Sequence, residues 1–195
     1  MLVLASASPR RRELLTQAGF HFTVHPAHIP EDPYPDEDPI AYVTRLARQK
    51  AEAVFAEITN ASASEKRASA PPQVVVLGAD TTVTLDNHIL GKPESPSDAA
   101  RMLRLLSGRT HHVITGVALV SAQSNQVAAE VTAVRFLTLS DQDIAAYIAT
   151  GEPMDKAGAY AIQGYAARWI PRIEGCYFNV VGLPIALVTT LLEFL

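Results

Sequence analysis

A chain of 195 residues, 48% hydrophobic and 18% charged, is long enough for one sizeable core and too apolar for a disordered segment. No apolar run approaches the roughly 20 residues that a bilayer span requires, and a net charge of −4 argues against a nonspecific nucleic-acid partner. The single cysteine, Cys176, excludes an intramolecular disulfide and a cysteine zinc cage, and no secretory pattern precedes the first apolar residues, so a cytoplasmic protein without a membrane partner is expected.

Leu2 to Ala5 reads as a short buried strand, followed by a serine-rich turn and a helix from about Pro9 to Ala18, with Ser8 as N-cap and Pro9 in the first turn. Arg10, Arg11 and Arg12 crowd the positive end of that helix, where clustered cations are unfavourable unless an anion joins them. Phe20, Phe22 and Val24 alternate with polar residues as a half-buried strand does, and the acidic, proline-rich stretch IPEDPYPDEDP (29–39) then leads into a helix from Asp38-Pro39 to about Ile58. Residues 60–73 are small and polar and are expected to form a mobile surface loop within one domain spanning 1–195.

VVVLGAD (74–80) has the β-branched character of a strand buried on both faces, and places Asp80 at its C-terminal end. A hairpin about Asp86-Asn87, a helix from Ser95 to Leu106, and two long strands joined by a Ser-Asn turn follow. Ser140-x-x-Asp143 opens a further helix as a capping box, the segment from Gly151 to Gly175 is irregular, and Ile185 to Leu195 is the last helix. The pattern is that of an α/β protein without internal repeats.

Several residues are chemically suggestive yet ordinary when taken singly. Lys50 falls on the apolar stripe of Val43, Ala47, Val54 and Ile58, where a lysine can snorkel; Lys92 in LGKP can be a turn lysine. Asp80 can be a cap, and Glu31 part of a solvated charge run, but two such carboxylates could also hold a hard cation on a polyphosphate. Asp155 and Lys156 fit either an ion pair in a tight loop or a base pocket. His21, His25 and His28 do not share a helical face, and His111 and His112 point to opposite sides of a strand, so histidine metal ligation is not expected. Ser6 and Ser8 lack a nucleophile elbow and suit phosphate hydrogen bonding better.

In order along the chain, SASPRR (6–11), LARQKA (46–51), GADT (78–81), LGKP (90–93), LSGRTH (106–111), GEPMDKAGAYAIQG (151–164) and NVVGLP (179–184) resemble the Maf family nearly end to end. The resemblance implies an inosine-triphosphatase-like mixed sheet bent around a deep cleft between two lobes, and commonly a homodimer. It implies a nucleoside triphosphate pyrophosphatase that cuts between the α- and β-phosphates with a divalent cation, Mg²⁺ or Mn²⁺. By position, Asp80 matches the proton acceptor and Glu31 the acidic-loop carboxylate, with Asp32 one residue away; Glu31 and Asp80 together would hold the metal. Arg10, Arg11, Lys50 and Lys92 match the groups that neutralise the triphosphate, Ser6 and Ser8 add hydrogen bonds, and Arg12 lies outside the pattern. Arg10, Thr81 and Gln163 match the positions governing base choice, and the ADT and DKAGAYxIQG motifs resemble the dTTP/UTP branch rather than the 7-methyl-GTP branch. Ala161 departs from the glycine that relatives often carry. Since the family is also linked to septum formation, a nucleotide-binding regulator of cell division is the alternative of a different class.

Overall fold

The computed structural model describes residues 1–64 and 73–194. Strands β1 (Leu2–Leu4), β2 (Phe22–Val24), β3 (Val75–Leu85), β4 (His88–Leu90), β5 (Thr110–Val120), β6 (Asn125–Arg135) and β7 (Arg172–Glu174) form one seven-stranded mixed sheet. Its order is β2-β1-β3-β5-β6-β7: β1 runs parallel to both β2 and β3, whereas β3, β5, β6 and β7 are antiparallel in succession. The helices are α1 (Pro9–Gln17), α2 (Pro39–Ser64), α3 (Pro96–Leu106), α4 (Asp141–Ala149), α5 (Tyr177–Val181) and α6 (Ile185–Glu193). Among the described residues no helix is long and apolar enough to cross a membrane.

Local chemistry sets most boundaries. Ser8 accepts from the Arg11 amide to cap α1, Asp38 accepts from the Ile40 and Ala41 amides to open α2, and Ser140 with Asp143 forms the expected capping box. Asp86 and Asn87 both adopt positive φ, the twist a two-residue hairpin needs. Two expectations need correction. α2 continues past Ile58 to Ser64 because residues 59–64 contain no glycine or proline to break it; the rest of the expected loop, residues 65–72, lies outside the described residues. β3 does not stop at Asp80: the hairpin strand expected over Thr81 to Leu85 is continuous with it and pairs with β5, so Asp80 lies in mid-strand opposite Gly116.

The alternation of β3 decides what each neighbour meets. Val76, Gly78 and Asp80 share one face, and α2 packs there at close range: a Cβ on Gly78 would lie 2.0 Å from the Ala47 carbonyl oxygen, and one on Gly116 would lie 2.3 Å from that of Val43. Two glycines on adjacent strands therefore admit the helix that carries Lys50. Leu77 and Ala79 point to the other face, into a cluster with Leu14 and Leu15 of α1 and Val188 of α6. A third cluster gathers Val83, Phe136, Tyr147, Tyr160 and Trp169 with α3 and α4 at the far end of β3.

One edge of β3 is interrupted. β5 covers its other edge from Val76 to Thr84, while on this edge β1 pairs only through Leu77 and β4 only from Val83 onward. Gly78 to Thr82 are left without a neighbouring strand there, and α1's N-terminus faces that gap.

Candidate active site

The gap on β3 opens into a cavity of about 570 Å³. Its walls come from the β1–α1 turn (Ser6, Ser8, Arg10, Arg11), from α2 (Tyr42, Lys50), from β3 (Asp80, Thr81), from Lys92, and from the segments at 155–160 and 180–182. Glu31 closes one side. Chain segments more than 170 residues apart in sequence thus meet at a single break in one strand pairing.

At the centre, Lys50 Nζ donates to Asp80 Oδ1 at 2.7 Å and lies 2.7 Å from Glu31 Oε1. Asp80 and Lys50 are only 8% and 7% exposed, whereas the Glu31 side chain is 53% exposed, so the triad has a buried floor and a solvent-facing third member. The lysine on the apolar stripe is therefore paired and does not snorkel to water. Burial pushes the Asp80 carboxyl up, and Glu31's charge adds to this, against the downward pull of Lys50 and Arg11. Its carboxylate is thus a stronger base than that of an exposed aspartate. Burial of Glu31 opposes its charged form, but the hydrogen bond and charge of Lys50, helped by Lys92 and Arg11, hold its carboxyl below the ordinary range. Of the two adjacent acids, Glu31 reaches Lys50, while Asp32 is exposed.

The three arginines separate clearly. Arg11 turns inward: Nε donates to the Gly182 carbonyl at 2.9 Å, Nη1 to the Ala79 carbonyl at 2.9 Å and to Ser6 Oγ at 3.2 Å, and Nη2 to Thr81 Oγ1 at 3.0 Å. These bonds occupy four of the guanidinium's five N–H groups, and the Ala79 carbonyl is one that the missing strand leaves free. Partial burial lowers the Arg11 pKa, yet an arginine keeps its charge, so it acts as a fixed positive pole. Arg10 lines the cavity with no hydrogen bond or ion pair among the described residues, as does Lys92, which leaves two cations available. Arg12 is exposed, as expected for a helix-face residue.

Thr81 faces away from Asp80 and is tied into the Arg11 network, sharing a 2.9 Å hydrogen bond with Thr115 Oγ1. Gln163 is exposed and is not part of the cavity wall. Asp155 and Lys156 form the ion pair that was one of their two expected uses, and both line that wall. The segment is docked by the Gly158 amide, which donates to the Gly91 carbonyl at 3.0 Å; Gly158 has φ +66°, and a Cβ there would press on Val83 at 2.9 Å.

Two cavity residues escape sequence inspection. Tyr42 lies eight positions before Lys50, on the same face of α2; this spacing would have found it. Its hydroxyl donates to the Glu31 carbonyl at 2.8 Å, and burial, then Asp80 and Glu31, push its pKa up to about 12. Tyr160 shares a 2.7 Å hydrogen bond with His111 Nε2. His111 is fully buried, and burial pushes it down to about 3, so it stays neutral. His112 is exposed, which agrees with the opposite-facing pair expected from strand alternation.

With strand topology, buried ion pair and cation-lined cavity in place, comparison with known proteins defines the class. The family model described as Maf-like protein matches residues 1–195, and the chain belongs to the Maf family. It is 54% identical over 187 residues to the dTTP/UTP pyrophosphatase of Koribacter versatilis (96% of this chain, 90% of that protein). It is 53% identical over 193 residues to the dTTP/UTP pyrophosphatase of Moorella thermoacetica, covering 98% and 93% of the two chains. The dTTP/UTP pyrophosphatase of a Geobacillus species is 48% identical over 185 residues, covering 95% and 92%.

Proposed function

We propose that this protein is a nucleoside triphosphate pyrophosphatase that hydrolyses dTTP and UTP to the monophosphate and pyrophosphate. The observation that carries this reading is the gap in β3, where a buried aspartate with a raised pKa faces a cavity ringed by Arg10, Arg11, Lys50 and Lys92. Full-length similarity of about half the residues to proteins named for these substrates supports the base assignment.

In this mechanism Asp80 accepts a proton from the attacking water, for which its raised pKa suits it better than an exposed aspartate. Lys50 orients the Asp80 carboxylate through Oδ1 and leaves the other oxygen to meet the water. Arg10 and Lys92, which make no competing ion pairs among the described residues, neutralise the triphosphate and the charge that accumulates on pyrophosphate as it leaves. Ser6 and Ser8 add hydroxyl donors where α1's N-terminus favours an anion. Arg11 adds fixed positive potential from behind.

Glu31 and Asp80 fit a divalent cation: both carboxylates converge on one cationic atom, Lys50 Nζ, and the set contains only hard oxygen donors. Among the described residues no group of three or more acidic, histidine or cysteine side chains could hold a metal, so substrate phosphates would complete the coordination. When bound, Mg²⁺ or Mn²⁺ supplies Lewis-acid polarisation of a phosphate oxygen and acidifies water.

Purified protein with Mg²⁺ or Mn²⁺ is expected to release pyrophosphate from dTTP and UTP. Faster cleavage of 7-methyl-GTP would move the substrate assignment to the other branch, and inertness toward every triphosphate would sink the enzyme reading. The same reading carries a cytoplasmic homodimer, for which light scattering is the check.

A further inference from the structure

We propose that Arg45, which is not part of the cavity wall, is a positioning residue that holds the 29–38 loop so that Glu31 meets Lys50. The proposal rests on the hydrolase reading above for its catalytic consequence.

Glu31 lies in a loop with no regular secondary structure, and residues 31–36 are all exposed. Its own carboxylate cannot set the path of that loop, because the side chain is half exposed and bonded only at its tip. The path is set from α2 instead. Arg45 Nε and Nη2 donate to the two carboxylate oxygens of Glu37 at 2.7 and 2.6 Å, and Nη2 also donates to the Asp32 carbonyl at 3.2 Å. The guanidinium stacks on the Tyr34 ring at 4.1 Å, so one side chain grips the loop at three places. From the same helix the Tyr42 hydroxyl donates to the Glu31 carbonyl at 2.8 Å.

An exposed ion pair contributes little and carries no positional information. This one differs in three respects. The Arg45 and Glu37 side chains are 14% and 9% exposed, the contact is a two-pronged fork, and Gln49 accepts from Nη1 at 3.3 Å, which locks the arginine's remaining arm. Tyr42, Arg45 and Gln49 recur at helical spacing, and Lys50 follows on the same rigid helix. The clamp and the lysine therefore share one frame, and the carbonyls of both Glu31 and Asp32 are fixed in it.

The test uses full-length protein carrying Arg45→Ala, Arg45→Lys, Glu31→Gln and the Arg45→Ala/Glu31→Gln pair. Amide hydrogen exchange of residues 31–38 is expected to rise in Arg45→Ala while that of α2 and β3 is unchanged. Pyrophosphate release from dTTP is expected to fall by up to about 10-fold in kcat/KM, no further than in Glu31→Gln, as a displaced catalytic group does. Arg45→Lys, which keeps charge but loses the fork, is expected not to restore it. In the Glu31→Gln background the further loss from Arg45→Ala is expected to be less than about 2-fold, because the arginine acts through Glu31. Unchanged exchange in the loop, or a full additive loss in the double variant, overturns the proposal. Wild-type protein inert toward all triphosphates overturns the hydrolase reading instead, and the exchange measurement still reads the clamp.

Discussion

The two halves of the site are built by opposite means. Lys50 and Asp80 sit on a floor where two glycines let a helix lie against the sheet, and their positions follow from the packing of dozens of buried atoms. Glu31 hangs over that floor on an exposed loop, held by a few hydrogen bonds and one stacked arginine. Precision therefore has two sources: the proposed proton acceptor is placed by close packing, and the acidic residue nearest solvent by a few polar contacts.

The largest effect is expected at Asp80. Asp80→Asn keeps an oxygen for Lys50 but removes the proposed proton acceptor, and is expected to lower kcat by about 10²- to 10⁴-fold in a pyrophosphate-release assay, with the protein still folded by circular dichroism. Next is the packing beneath it. Gly78→Ala drives a methyl into the Ala47 carbonyl, and overpacking of about 1–3 kcal/mol lowers Tm by roughly 2–12 °C in a thermal melt. Gly91→Ala, where no atom lies within 4 Å of an added Cβ, is the control and is expected to leave Tm unchanged. A loop substitution should show the reverse profile: Glu31→Gln is expected to lower kcat/KM about 10-fold and shift stability by less than about 0.5 kcal/mol, as exposed positions do.

The smallest expected effect concerns His111, on the buried side of the comparison. Its folded pKa lies near 3, below the unfolded value near 6.5, so its contribution to stability is fully present above pH 6.5 and is lost as pH falls toward 3. Urea titrations are expected to show about 1 kcal/mol of this loss between pH 7 and pH 5.5. His111→Phe should remove that increment, and an unchanged pH dependence in the variant would contradict the assignment.

Residues whose role follows from periodicity were legible in the sequence. Lys50 could be placed on a packed face because helical spacing fixes direction, and His111 and His112 could be separated because strand spacing does. The arginine run could be split at Arg12, but not between Arg10 and Arg11. Arg11's inward turn depends on carbonyls at Ala79 and Gly182, and backbone acceptors have no signature in side-chain chemistry. The gap beside Asp80 was hidden for a related reason: the interruption lies in the neighbours of β3, β1 and β4, and not in β3 itself. β7 and α5 are too short for any period to emerge. Arg45 had the appearance of an ordinary charged helix residue, because its partners lie in a loop whose path local sequence does not determine.

The bond from Arg11 to the Gly182 carbonyl spans nearly the whole chain, and with it the site acquires a direction in time. A nascent polypeptide carries Ser6, Ser8 and the arginines from the outset, then Lys50, then Asp80. The positive pole gains its last hydrogen bond, to Gly182, only when the segment ending there has emerged and packed. A truncated chain therefore holds nearly every charged group named above but lacks the last of the contacts that hold Arg11.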